Sequence, residues 1–301
     1  MSVVRPFARS DRDQLVSLAN HHIATVLPGG SIPASALLSA MERDPGEYII
    51  DPWVVDRHTI VGVARHRLVA AAHLKRYDTD ARVSAGYRDS GSIDWLICWP
   101  DEIETGRLVL QAALDRLRSW GVARWYADGS LPCLGVYGIP DSWPHVLDLF
   151  AEAGFHDADG QVEITLVGDL ATVAPPGPAP LDGLAVRRVL GTLGTTFQAM
   201  AGDEVVGMFE VEDDYTRGGS VIRLDGWADI GNHRVREDLR GRGIGSWLFR
   251  YGCAWLRLGG ARRILAYAIE DANLAAIERY YSTHGLVRTG RTRRGWARLP
   301  D

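Results

Sequence analysis

Apolar residues recur along the first half of the chain at the spacings typical of helices and strands. Residues 12–26 and 103–120 carry apolar positions three or four residues apart, which predicts two amphipathic helices. Shorter runs rich in β-branched and aromatic residues predict strands. In chain order, the prediction is a strand at 3–7, helices at 12–26 and 31–43, strands at 53–64, 68–74 and 92–99, a helix at 103–120, a strand at 124–128, a helix at 143–153 and a strand at 162–167. The residues Arg65-His66-Arg67 predict a hairpin turn between the second and third strands.

The second half alternates in the same way but begins without helices. Its predicted strands are 184–189, 195–201, 205–211 and 227–235, followed by a helix at 247–258, a strand at 262–269 and a helix from 273 to about 286. Gly202-Asp203 predicts a tight hairpin turn. Because only residues 190–194 separate the first two strands, the two helices of residues 12–43 have no counterpart here.

A proline-rich stretch at residues 174–180 divides the two halves and predicts an extended, semi-rigid linker. We therefore expect two domains, at residues 1–172 and 182–301, joined by a linker at 173–181. A chain of 301 residues suits two domains. The expected fold class is mixed α/β. Each domain would be a mostly antiparallel twisted sheet flanked by helices, and the second would lack the first two helices.

A glycine-rich turn, Arg240-Gly241-Arg242-Gly243-Ile244-Gly245-Ser246, lies between a predicted strand and a predicted helix. The first amides of a helix have no intrahelical partner and carry the positive end of the helix dipole. Glycines let an anion approach these amides, and Arg240 and Arg242 add positive charge. The pattern predicts a diphosphate site. It is not a Walker A loop, since no Gly-Lys-Ser/Thr follows, and it lacks the third small residue and the βαβ unit of a dinucleotide fingerprint.

The run Arg-x-x-Gly-x-Gly at residues 240–245 resembles the acyl-CoA loop of the GNAT superfamily of N-acyltransferases. In that family an Asn opens the next helix, as Asn273 does here, and a Tyr lies four residues before a Gly, as Tyr281 and Gly285 do. Asn273 is one residue further from Gly285 than is usual, so Tyr280 is an alternative to Tyr281. Taken alone, Asn273 would be a helix cap and the tyrosines a core pair. The order of all these features favours an acyl-CoA site.

The resemblance implies a role for each of these residues. The backbone of the loop would hold the diphosphate of acetyl-CoA, which is a co-substrate, while Val235 and Asn273 would contact its pantetheine arm. Tyr281, or Tyr280, would protonate the leaving thiolate. The implied cofactor-binding residues are Val235, Arg240, Gly241, Arg242, Gly243, Ile244, Gly245, Ser246 and Asn273.

The general base has several candidates. Asp229 matches the strand position at which many members of the family carry a catalytic Glu, and it is the first candidate. His233, four residues further on, is expected on the same strand face by the alternation of side chains, and it could act as the base or bind substrate. Glu210 and Glu212 on the preceding strand are further acids that could receive a cationic amine.

The first half resembles the family only in outline. At the position of its phosphate loop, residues 100–106 contain Asp101, Glu102 and Glu104, whose charges would repel a diphosphate. Phe150 stands where the family has its tyrosine. We therefore expect an N-terminal half that has lost cofactor binding.

The resemblance implies transfer of an acetyl group from acetyl-CoA to an amine of a small molecule or peptide by direct attack. Two alternatives stay open. Tandem architecture with a degenerate half also resembles mycothiol synthase, which acetylates a cysteinyl amine. In the second alternative, this chain senses acyl-CoA without turning it over.

Composition limits the other possibilities. A formal net charge of −5 gives no reason to expect nucleic-acid binding. Cys98, Cys133 and Cys253 are too widely spaced for a metal site. No apolar run approaches the ~18 residues of a membrane span, and residues 1–5 lack the apolar core of a signal peptide. We expect a cytoplasmic monomer or homodimer that needs no metal and binds neither nucleic acid nor membrane.

Overall fold

A computed structural model describes residues 2–42, 53–127, 131–133, 135–158, 160–213 and 224–299. The chain forms two compact units, the first made of Met1–Ile164 with Gly290–Asp301 and the second of Thr165–Thr289. Each contains a mixed sheet flanked by helices, which confirms the predicted fold class.

The helices and strands follow one another in the order that the apolar spacing predicts. Before the proline-rich stretch they are β1 Ser2–Pro6, α1 Arg12–Val26, α2 Ala34–Glu42, β2 Val54–Ala64, β3 Arg67–Tyr77, β4 Ser90–Cys98, α3 Ile103–Trp120, β5 Arg124–Tyr126, β6 Ile139–Pro140, α4 Pro144–Glu152, β7 His156–Asp157 and β8 Val162–Asp169. After it come β9 Leu184–Leu190, β10 Thr195–Ala201, β11 Glu204–Asp213, β12 Trp227–Val235, α5 Ile244–Leu258, β13 Arg263–Ile269, α6 Leu274–Ser282, β14 Val287–Arg293 and β15 Trp296–Arg298.

Helices α1 and α3 have the predicted ends. Helix α2 begins after Pro33, later than predicted, and the predicted end at Arg43 lies outside the described residues, as does Asp128 at the predicted end of β5. Helix α5 begins at Ile244 rather than at residue 247, because its first turn is already formed by the glycine-rich loop. Strands β6, β7, β14 and β15 were not predicted.

The sheet of the first unit has the order β1-β2-β3-β4-β5-β15-β7, with antiparallel pairs from β1 to β4 and a parallel pair between β4 and β5. Helix α3 packs closely on this sheet, since a Cβ added at Gly62 would lie 2.6 Å from Thr105 Cγ2. Strand β15, near the end of the chain, pairs with both β5 and β7. The first unit is therefore discontinuous in sequence.

The sheet of the second unit contains the run β14-β8-β13-β12-β11-β10-β9. Strands β9 to β12 pair in antiparallel fashion and β12 pairs with β13 in parallel. Helix α5 lies on one face, where Gly252 lets it approach: a Cβ added there would lie 2.3 Å from Phe209 Cε1. Only residues 191–194 connect β9 to β10, so the second unit lacks counterparts of α1 and α2 as predicted.

The compact units divide the chain differently from the predicted domains. Strand β8, predicted as the last strand of the first domain, lies in the second sheet, and its residues 165–169 belong to the second unit. Residues 290–301 belong to the first unit instead of the second. Each placement depends on pairing between strands distant in sequence, which leaves no local signal. Among the described residues, no helix is long and apolar enough to cross a membrane.

The hairpin between β2 and β3 turns on Arg65 and His66, whose φ angles are 50° and 65°. Because both central residues lie in the left-handed region, where Asn and Gly are favoured, we expect Arg65→Asn combined with His66→Gly to raise the free energy of unfolding by about 1 kcal/mol. Chemical denaturation would measure the change. Arg67→Asn, one residue into β3, is the control and should not stabilise. An equal or lower stability for the double variant would contradict this reading of the turn.

Candidate active site

A cleft of about 840 Å³ lies in the second unit. Its walls are the end of β12, the loop at residues 239–246, Tyr267 of β13 and the face of α6 that carries Asn273, Tyr280 and Tyr281. This volume is within the range of small-molecule sites.

The cleft exists because the neighbouring strands β12 and β13 diverge. Strand β12 pairs with β11 as far as Val235, whereas its pairing with β13 joins Trp227–Asp229 to Arg263–Leu265. Past Asp229 and Leu265 this pairing ends, and the cleft lies between the two strands.

The glycine-rich loop forms one end of this cleft and begins helix α5. Gly241 and Gly243 have φ angles of 73° and 82°, which side chains rarely tolerate. Trp247 N donates to Gly243 O at 3.0 Å, so the amides of residues 244–246 precede the first bond inside the helix. The loop thus presents backbone donors at the positive end of α5.

The Arg240 side chain connects this loop to the end of β12. Its Nε donates to Val235 O at 3.2 Å, and its exposed guanidinium lies 3.9 Å from Glu237 Oε1. Arg242 is also exposed. Two cationic side chains therefore stand beside the amides of α5.

The proline-rich stretch packs against the start of the same helix. The indole of Trp247 donates to Gly177 O at 3.1 Å, and a Cβ added at Gly243 would lie 3.4 Å from Pro180 Cβ. Further along α5, Arg257 donates to Val173 O at 2.9 Å. These contacts hold the stretch inside the second unit.

Tyr281 and His233 form a hydrogen-bonded pair inside the cleft. The Tyr281 hydroxyl lies 3.4 Å from His233 Nδ1, and His233 Nε2 lies 3.2 Å from Gly245 O. Because a carbonyl can only accept, Nε2 carries the ring hydrogen, and Nδ1 accepts from the Tyr281 hydroxyl. At 3.4 Å that second bond is weak.

Tyr280 lies closer to the glycine-rich loop. Its buried hydroxyl would be 3.5 Å from a Cβ added at Gly245, and it makes no hydrogen bond of normal geometry to the described residues. Burial raises the pKa of Tyr280 to about 12, although the nearby Ser246 hydroxyl opposes the rise. Burial and the neighbouring Tyr280 also raise the pKa of Tyr281. Both hydroxyls therefore keep their protons near neutral pH.

His233 is neutral at physiological pH. Burial, together with the nearby His284, lowers its pKa to about 4, while the bond to Gly245 O opposes the shift. Its ring packs edge-on against Phe209 with centroids 5.0 Å apart, on the face of the sheet that α5 covers. The neutral ring therefore accepts the hydrogen bond from Tyr281.

Asp229 and His233 do not share a strand face, and the sequence-based prediction was wrong. Phe209 pairs with His233 and Glu212 pairs with Asp229, but the register shifts between them because Gly231 is an extra residue in β12. Such a bulge reverses the alternation of side chains. The buried Asp229 therefore lies on the face opposite to His233 and α5.

Asn273 stands at the start of α6 and lines the cleft. The side chain of Asn273 does not cap the helix. The backbone N–H of Asn273 donates to Asp271 Oδ1 at 2.8 Å. Tyr267, Ala276 and Ile277 also line the cleft and were not predicted. The spacing from Asn273 to Ala276 and Ile277, three and four residues, indicates a shared helix face and could have identified them.

The corresponding region of the first unit, near β4 and α4, is much more tightly packed than the cleft. The space between β4 and α4 is a pocket of about 10 Å³, roughly one water molecule, lined by Trp95, Trp143 and Phe150 among others. Asp101 and Glu102 lie in a short 3-10 turn just before α3. Large side chains thus leave little open space between β4 and α4.

Comparison with known proteins finds a family match in the second half of the chain. Residues 174–286 match the Acetyltransferase (GNAT) family. A tandem GNAT protein from the clavulanic acid biosynthesis pathway has a similar fold, with a TM-score of 0.65 and 16% identity over 100% of both chains. A GCN5-related N-acetyltransferase from Sphaerobacter thermophilus has a TM-score of 0.61 and 16% identity, covering 98% of this chain and 94% of its own.

A further similar structure is a glucosamine N-acetyltransferase region of a fungal multi-domain β-N-acetylglucosaminidase, with a TM-score of 0.61 and 15% identity over 99% of this chain and 38% of that one. At these identities the likeness shows the fold alone. No curated protein sequence matches the chain.

The low pKa of His233 makes stability depend on pH. Between about pH 6.5 and about pH 4, the unfolded chain binds a proton on this residue that the folded chain does not, so the free energy of unfolding falls as the pH falls through that window. We expect His233→Gln to make this dependence shallower, by at most ~1.4 kcal/mol per pH unit. Denaturant titrations at several pH values would measure the slope. The exposed His156→Gln is the control, and equal slopes for wild type and His233→Gln would contradict a buried neutral imidazole.

Proposed function

We propose that the chain transfers an acetyl group from acetyl-CoA to an amine of a small molecule or peptide, as the match of residues 174–286 to the GNAT acetyltransferase family suggests. The observation that carries the proposal is the cleft of about 840 Å³, which has unpaired helix amides at one end and a buried tyrosine and histidine inside it. That combination provides for anion binding and for proton transfer in one space.

The loop at residues 240–246 binds the diphosphate in this proposal. Its amides and the charges of Arg240 and Arg242 supply the donors, while Val235 and Asn273 hold the pantetheine arm alongside β12 and α6. The acidic residues and filled pocket of the first unit support a single cofactor site per chain.

Tyr281 protonates the departing thiolate. Its hydroxyl lies beside His233, two residues from the bulge of β12, whereas the Tyr280 hydroxyl lies beside Gly245 at the diphosphate end. The weak bond to His233 orients the Tyr281 hydroxyl and is easily exchanged for a bond to sulfur. Tyr280 then contributes to cofactor binding.

Asp229 accepts the proton of the attacking amine. It lies on the face opposite to α5, so it meets a substrate that approaches the sheet from the side away from the helix. As the amine nitrogen bonds to the thioester carbon, the carbon–sulfur bond breaks. Asp229 takes a proton from nitrogen, and Tyr281 gives one to sulfur.

Two substitutions at Gly243 test whether the glycine-rich loop binds the diphosphate. Gly243→Asp and Gly243→Asn place side chains of one shape at a position with φ of 82°, and Asn and Asp both tolerate that conformation. Only Asp repels a diphosphate, so we expect CoA affinity at least ~10-fold lower for Asp than for Asn. Calorimetry should give about one site in the wild type, and acetyl-CoA with a panel of amines should release CoA.

Equal affinity in the two Gly243 variants would exclude the loop as the anion site. Acetyl-CoA binding without amine-dependent release of CoA would favour the alternative of an acyl-CoA sensor.

Replacing each tyrosine separately assigns the general acid. We expect Tyr281→Phe to lower kcat by ~100-fold with little change in acetyl-CoA affinity, because only the proton donor is lost. Tyr280→Phe should instead weaken acetyl-CoA binding and leave kcat nearly unchanged. Steady-state kinetics with calorimetry separates the two effects. The reverse pattern would transfer the acid role to Tyr280.

A further inference from the structure

The connection between β9 and β10, which replaces two helices of the first unit, is folded tightly onto the sheet. A Cβ added at Gly191 would lie 2.0 Å from Glu210 Oε1, and one added at Gly194 would lie 2.2 Å from Val211 O. Gly191 N also donates to Gly194 O at 2.7 Å. Residues 191–194 therefore form a compact turn in contact with β11.

Glu210 anchors this turn. Glu210 is 1% exposed, and its carboxylate accepts from Leu193 N at 3.0 Å, from Thr196 Oγ1 at 3.1 Å and from Asn232 Nδ2. Burial alone would raise the pKa of Glu210, but these bonds and one from Gly194 N lower it below its usual value. A buried charge held by several donors fixes the backbone around it, because losing one partner would leave the charge uncompensated.

The anchored turn places Leu193 against the bulge of β12. A Cβ added at Gly231 would lie 2.7 Å from Leu193 Cδ1, and the Leu193 side chain is still 38% exposed. Gly231 also lines the cleft. An apolar, partly exposed side chain thus stands where the strand opens into the candidate active site.

We propose that Leu193 contacts the acceptor and selects amines with an apolar group next to the nitrogen, and that Glu210 is the positioning residue that holds Leu193 there. This inference rests on the proposed function.

Two observations place the acceptor at this position. Glu210 shares a sheet face with Asn232 and Asp229, as the register of β11 with β12 shows, and that face is opposite to α5. The α5 side is filled by the rings of Phe209, Phe249 and His233. An amine that uses Asp229 as its base therefore approaches over the bulge. Carboxylates on this face suit a cationic amine, and Leu193 adds an apolar contact beside them.

Kinetics with a series of primary amines, from methylamine to isobutylamine and benzylamine, tests the inference. We expect Leu193→Ala to raise the acceptor KM for the larger amines about 10-fold or more, with methylamine little affected and the acetyl-CoA KM unchanged. Leu190→Ala, three residues away and 87% exposed, is the matched control and should change neither KM.

Glu210→Gln separates positioning from general stability. It keeps the shape of the side chain but removes an acceptor oxygen and the charge, so the turn should loosen and the acceptor KM should rise while calorimetric CoA affinity stays the same. A parallel rise in both KM values would show that Glu210 only stabilises the unit, and would overturn its role.

Unchanged acceptor KM values in Leu193→Ala, in an enzyme that turns over, would overturn the inference and leave the proposed function standing. A wild-type chain that binds CoA but acetylates none of the amines would overturn both.

Discussion

The amides at the start of α5 have no carbonyl to bond to, and the second unit is arranged around the space in front of them. Gly243 ends the loop in a left-handed conformation that turns these amides into the cleft. Arg240 fastens the loop to Val235 O, and the divergence of β12 from β13 keeps that space open. A helix terminus buried without partners would be unstable, so either water or an anion must occupy it.

The extra residue Gly231 places the candidate site residues of β12 on opposite faces of the sheet. Without it, Asp229 and His233 would project together under α5. With it, the tyrosine and histidine face the helices while the carboxylates face away. In the proposed reaction, the two substrates meet from opposite sides of this sheet. The same bulge gives Leu193 a glycine to pack against.

The features that the sequence predicts well are those with a local cause. Helices α1 and α3 have their predicted ends because their apolar spacing is uninterrupted, and the loop at 240–246 is recognisable because helix amides need glycine to receive an anion. The bulge is invisible to a rule that counts alternate residues along one strand, since it is defined only by pairing with β11. Likewise, β8 and β15 have ordinary strand compositions, and nothing in them indicates which sheet they join.

Because β15 completes the sheet of the first unit, the folding of that unit depends on the order in which the chain is synthesised. Strands β5 and β7 are each bonded to Trp296–Arg298 and are separated from them by more than a hundred residues. Domains generally fold as units, the N-terminal one first, while the ribosome is still adding residues. Here the sheet that contains the first strand cannot be completed until Trp296–Arg298 have left the ribosome. The first unit therefore has an open strand edge while the second unit is synthesised, and the nascent chain must keep that edge from pairing elsewhere.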